Sequence, residues 1–162
     1  MSTILKLSHN QELIPENKFN LILLKAKELD FIEIAAMHAQ GFNLHIQQSV
    51  ETIDCLLNDR DNAKNIVWKL VDLQTMRIIA IASTSINNQK IYLADIVVHP
   101  RYSNQGIGLY FIKHLISLVR IVYARDEIYL EMKMTSKVAL HIYSKIGFEF
   151  EDIYKQQRLK AS

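Results

Sequence analysis

Apolar positions along the chain recur with two periods, one near two residues and one near 3.6, which predicts strands and helices in alternation. Residues 19–25, FNLILLK, predict a strand, and the eighteen residues before it an extra N-terminal arm: a short edge strand or a segment lying over the surface. Residues 31–39 place Phe31, Ile32, Ala35, Ala36 and Ala39 on a helical stripe, with Gly41 where a left-handed helix end is often needed. Ser49 reads as the N-cap of a second helix with Glu51 in its first turn and Val50, Ile53, Leu56 and Leu57 inward; the polar run 58–65 ends it. Three β-branched segments, 66–71, 78–85 and 91–98, are separated by short polar turns and predict an antiparallel meander. A long helix is expected over 106–125, with Ile107, Phe111, Leu115, Leu118 and Val122 on one face. A strand over 127–132 follows, then a helix over 136–146 closed by Gly147, and a last strand from Phe148.

No repeat, low-complexity tract or linker divides the 162 residues, so one α/β domain of the α+β kind is expected over 1–162. Nineteen basic and seventeen acidic side chains leave a formal charge of +2, too balanced for the cationic footprint of a nucleic-acid binder. The basic tail 155–160 reads as a solvated chain end. Cys55 is the sole cysteine, which excludes an internal disulfide; it reads as a small buried hydrophobe, and the cytoplasm is the expected compartment. The opening residues are interrupted by polar side chains every few positions, so neither an export signal nor a membrane anchor is expected. His38 and His45 stand seven apart, about 10 Å along a helix, too far to chelate one ion, and no metal is implied.

Glycine is used sparingly: of four in the chain, Gly106 and Gly108 sit together between a strand and a helix. There glycine lets backbone N–H groups approach an anion, and the helix N-terminus adds partial positive charge, so a phosphate is the natural guest. A P-loop would need Lys and then Ser or Thr after the last glycine, where Leu109 and Tyr110 stand. A dinucleotide fingerprint would need a small residue at Phe111 and would follow the first strand of a βαβ unit.

The stretch from Val97 to Gly108, VVHPRYSNQGIG, resembles the acetyl-CoA motif of the GNAT superfamily of N-acetyltransferases. In that family a Val-x-Pro segment ends the fourth strand, and Arg or Gln followed by x-x-Gly-x-Gly or Ala wraps the pyrophosphate; Val98, Pro100, Gly106 and Gly108 fit. A second family segment, Asn-x-x-Ala-x-x-x-Tyr-x-Lys-x-Gly-Phe, is matched by Ser136, Ala139, Tyr143, Lys145, Gly147 and Phe148. The resemblance runs from about residue 19 to 150. It implies a mixed, mostly antiparallel central sheet of six to seven strands flanked by about four helices.

It implies acetyl-CoA as cosubstrate, its pantetheine arm held by Ile96, Val97 and Val98 beside a bulge opening toward 128–132. Ser103, Asn104, Gln105, Gly106, Ile107 and Gly108 would cradle the phosphates, with Ser136 and Lys145 contributing from the second segment. Ser103 and Ser136 depart from the family's Arg or Gln and its Asn, which removes side-chain contacts and leaves a backbone cradle. Tyr143 then matches the proton donor to the departing thiolate, and Asp95 the base that neutralises the attacking amine, with His99 a weaker substitute. The implied reaction is direct acetyl transfer from acetyl-CoA to a primary amine of a small molecule, peptide or protein. The two serines leave a noncatalytic acyl-CoA sensor or interaction module as the alternative, and exposed sheet edges leave room for a homodimer.

Overall fold

The computed structural model describes residues 2–7, 19–58, 65–125, 127–133 and 136–151. The tail 155–160 lies outside the described residues. Strands β1 (Ser2–Leu7), β2 (Leu21–Lys25), β3 (Ile66–Asp72), β4 (Arg77–Asn87), β5 (Lys90–Val98), β6 (Ile128–Lys133) and β7 (Phe148–Phe150) form one sheet, ordered β2-β3-β4-β5-β6-β1-β7. All neighbours are antiparallel except β5 and β6. Helices α1 (Phe31–Phe42) and α2 (Ile46–Asn58) cover one face of the sheet, α3 (Ile107–Tyr123) and α4 (Lys137–Ile146) the other.

Two apolar layers result. The α3 side unites Leu5, Trp68, Leu70, Ile79, Leu93 and Leu130 with Phe111, Leu115, Ile116 and Val119. The α1–α2 side joins Ile34, Ala35, Met37 and Ile53 to Val67, Val71, Ile78, Ile81 and Val97. Burial of these side chains on both faces is the main force holding the sheet between its helices.

Five local expectations are corrected. The N-terminal strand is neither an edge nor a surface segment: β1 lies between β6 and β7, with Leu5 opposite both Leu130 and Phe150. Its alternation turns Leu5 and Leu7 into the α3-side core, where each is almost fully buried. On α1, Ile32 is 73% exposed, while Ile34, Met37 and His38 turn inward. Gly41 lies within α1, and Asn43 at φ 52° makes the left-handed end. Ser49 lies inside α2 and is completely buried, so it caps nothing, and Cys55 is exposed rather than buried.

Candidate active site

The parallel pairing of β5 with β6 runs only from Ile91↔Ile128 to Leu93↔Leu130. Beyond Leu93 the strands part, so β5 offers an open backbone edge. The cause lies on the other side of β5. Ile81 faces Val97 and Ser83 faces Ala94, so Asp95 and Ile96 together oppose the single residue Ala82. This is a β-bulge, and Asp95 takes the left-handed conformation at φ 53° to make it. Bulges bend a strand and redirect its side chains, which parts β5 from β6 and turns Asp95 toward α1.

The opening is a cavity of about 480 Å³. Asp95 and Ile96 of β5, Glu131 and Met132 of β6, and Ser136, Ala139 and Tyr143 of the α4 region line it, and Gly41 and Phe42 of α1 close one side. Gly41 is required by proximity: a Cβ there would stand 2.4 Å from Val97 Cγ1. Only glycine lets α1 approach β5 this closely.

Both Asp95 oxygens are engaged. His38 Nε2–H donates to Oδ1 at 2.9 Å, and the Ser83 hydroxyl donates to Oδ2 at 2.6 Å. The other ring nitrogen of His38, Nδ1, meets Ser49 Oγ at 2.8 Å. Burial alone would raise the Asp95 carboxyl; the hydrogen bonds from His38 and Ser83 outweigh it and hold the group below its ordinary value. Asp95 is ionised at neutral pH and keeps about a quarter of its side chain accessible.

Tyr143 sits one turn before the end of α4, 6% exposed and edge-on to Phe148 at 6.1 Å. Its hydroxyl has no hydrogen-bond partner among the described residues. Burial pushes the phenol up to about 12, so it keeps its proton across the physiological range. Ser136 caps α4, its hydroxyl accepting from Ala139 N–H at 3.2 Å, and this cap brings α4 to the cavity wall.

The loop between β5 and α3 turns a run of backbone N–H groups toward the start of α3. Gly106 at φ 78° is the left-handed N-cap of α3, and Asn104 at φ 60° also turns the chain. Ser103 N–H donates to the Pro100 carbonyl, and the Gln105 side chain ties down the Arg101 carbonyl. The backbone N–H groups of Gln105, Gly106, Ile107 and Gly108 have no acceptor among the described residues. An orphaned set of donors at a helix start fits a pyrophosphate. A Cβ on Gly108 would lie 3.8 Å from Val98 and 3.6 Å from Ile142, ordinary contacts, so neighbouring side chains do not demand this glycine.

The structure thus joins Asp95, Ile96, Ser136 and Tyr143 around one cavity. Val97 points away, into the α1–α2 core, and only its backbone faces the β5 edge. Lys145 is exposed and does not line the cavity. His99 is also elsewhere: its Nδ1 accepts from Arg101 N–H, and it lines a separate cavity with Thr75, Arg77 and Tyr102. Sequence reasoning missed His38, Ser49 and Glu131 as site residues. Strand alternation from Ile128 could have placed Glu131 opposite the core-facing Leu130, but no local pattern pairs His38 with Asp95.

Among the described residues no group of three His, Cys, Asp or Glu side chains could hold a metal ion, and no described helix is long and apolar enough to cross a membrane.

Residues 33–148 match the model of the Acetyltransferase (GNAT) family. An N-alpha-acetyltransferase of Sulfurisphaera tokodaii is 30% identical over 61 residues, 38% of this chain and 36% of that protein. A GCN5-related N-acetyltransferase from Sphaerobacter thermophilus superposes with TM-score 0.71 at 12% identity, over 93% of this chain and 48% of that one. The spermidine N-acetyltransferase of Vibrio cholerae, solved with CoA and spermine, gives TM-score 0.67 at 20% identity over 82% of each chain. At such identities the two structures speak for the fold alone, and the first of them, like the curated relative, is matched over less than half its length. The family match spans well over half of the chain and includes the bulge, the glycine cradle and the Tyr143 helix: the chain belongs to the GNAT acetyltransferase family.

Proposed function

We propose that this chain is an N-acetyltransferase that moves an acetyl group from acetyl-CoA directly to a primary amine of a small molecule, peptide or protein. The observation that carries the reading is the parting of β5 from β6, which puts an ionised carboxylate and a neutral buried phenol on the walls of one cavity. The donor would lie with its pyrophosphate on the N–H groups of 105–108, and with its pantetheine arm along the β5 edge from Ala94 to Val98, as an added strand would. Ser103 offers no cation, so backbone donors carry the phosphates. Bound acetyl-CoA supplies the activated acetyl group.

The chain's own residues do the rest. An aliphatic ammonium must lose a proton before it can attack, and Asp95 accepts it, directly or through one water. Its low basicity suits proton removal concerted with attack rather than prior deprotonation. The negative wall formed with Glu131 attracts a protonated amine to the cavity. Tyr143 directs its hydroxyl hydrogen toward the departing sulfur; a phenol held up to about 12 keeps that hydrogen, so it acts by hydrogen-bonding the developing thiolate charge rather than by full proton transfer.

Incubation with acetyl-CoA and a panel of primary amines and amine-bearing peptides, read by free thiol release and product mass, tests the proposal. A mass gain of one acetyl group on at least one amine is expected. Tight binding of acetyl-CoA with no transfer to any amine would replace the enzyme with a noncatalytic acyl-CoA sensor.

A further inference from the structure

We infer that His38 is a positioning residue for the carboxylate of Asp95, and that the hydroxyl of Ser49 fixes the ring tautomer that lets it act. The inference rests on the reading of Asp95 as the base and adds the device that holds it. Four side chains from four elements form one chain: Ser83 of β4, Asp95 of β5, His38 of α1 and Ser49 of α2, at 2.6, 2.9 and 2.8 Å. Its inner end is closed to water, with His38 3% exposed and Ser49 fully buried. Burying an imidazole and a hydroxyl costs free energy unless both are satisfied, and here each satisfies the other.

Polarity follows from chemistry. An ionised carboxylate only accepts, so Nε2 must carry the hydrogen. In the neutral ring Nδ1 then has a lone pair and accepts from Ser49 Oγ–H, which disfavours the opposite tautomer. The left-handed bulge gives Asp95 no regular strand neighbour to brace it, and His38 with Ser83 supplies the brace. The accessible quarter of the carboxylate is thereby held toward the cavity instead of rotating against α1. Among the described residues, the other titratable groups facing this cavity are Glu131 from β6 and Tyr143 from α4, while β4 and α2 present the hydroxyls of Ser83 and Ser49 to the chain.

Removing the His38 donor takes away a hydrogen bond that favours the ionised carboxylate, so Asp95 becomes easier to protonate. The acid limb of the kcat/KM profile, which reports the free enzyme's base, is therefore expected to move to higher pH in H38F. A loss of kcat on the order of tenfold should accompany it, the equivalent of one hydrogen bond to a charged group. H38Q, whose amide can reach the Nε2 position, is expected to keep the limb near its original place. The same displacement should persist in an E131Q background, which separates Asp95 from the other carboxylate.

Ring 15N spectra of the unaltered protein supply a readout independent of whether H38F folds: an Nε2–H tautomer is expected, weakened by S49A. An Nδ1–H tautomer would overturn the inference. So would an unmoved acid limb in folded H38F alongside an inactive D95N, which leaves the Asp95 reading standing; a fully active D95N would remove both.

Discussion

Replacing Gly41 by alanine adds one methyl group where α1 meets β5. The new Cβ would stand 2.4 Å from Val97 Cγ1 and 2.7 Å from Cγ2, and ordinary contact begins at 3.4 Å, so the helix or the strand must yield by about 1 Å. Val97 is 6% exposed and seated among Ile34, Met37 and Ile81, so it cannot swing aside cheaply. Overpacking of this kind costs about 1–3 kcal/mol, against which alanine's better helix propensity returns up to about 1 kcal/mol. A net loss of about 1–2 kcal/mol is expected, a fall in Tm of roughly 2–8 °C for a domain of this size. Activity should fall further than stability, because the same shift moves α1, and with it His38, off Asp95, and a 1 Å misplacement can cost about 100-fold. Trimming the partner tests the cause: V97A alone forfeits about 1.6 kcal/mol of buried methyl groups, yet it opens the space that a methyl group at position 41 needs. Urea unfolding of both single variants and the double should show the double at least about 1 kcal/mol more stable than additivity allows. Strict additivity, or a G41A protein as stable and active as the parent, would refute the close-approach argument.

Y143F keeps the ring packed on Phe148 and removes only the hydroxyl; single-turnover assays should show kcat lowered on the order of 100-fold with acetyl-CoA affinity within about twofold. E131Q should raise KM for a cationic amine by several-fold while kcat changes little, measured by initial rates across acceptor concentration. Asp30 is set between Lys69 Nζ at 2.8 Å and Lys27 N–H at 2.8 Å; burial would raise its carboxyl, but the Lys69 and Lys27 contacts outweigh that and lower it from 3.8. A depressed carboxyl contributes stability that is present above the ordinary value and lost as pH falls through the folded one. D30N should therefore cost about 1.5 kcal/mol in urea unfolding at about pH 7, and the difference from the parent should shrink as pH falls below 3.8.

Local pattern sufficed where the deciding contacts are local. The meander of β3 to β5 follows from β-branched runs between short turns, and the α4 helix from its apolar stripe and Gly147 end; the pairing registers and the left-handed Gly147 bear them out, and the structure adds the Ser136 cap. The glycine turn into α3 was legible because Gly106 needs a positive φ that few other residues tolerate. Elsewhere the deciding partner is distant. Residues 31–39 are apolar nearly all round, so periodicity alone could not say whether Ile32 or Ile34 faces the sheet; the approach of Gly41 to Val97 decides it. Ser49 carries the chemistry of an N-cap, but Ile46 already starts the helix, and its hydroxyl is buried because a histidine on the adjacent helix meets it. The seat of β1 between β6 and β7 is a choice among sheet edges that its alternation, identical for any of them, does not encode.

Titration of the purified protein with acetyl-CoA by calorimetry, with CoA and NADH as comparators, bears most directly on whether the cradle and the β5 edge hold the donor. Saturable binding of both CoA species near the micromolar range, about −8 kcal/mol, and none of NADH is the predicted result. Absence of binding to either CoA species would contradict it, leaving the fold of an acetyltransferase around a cradle that holds no cofactor.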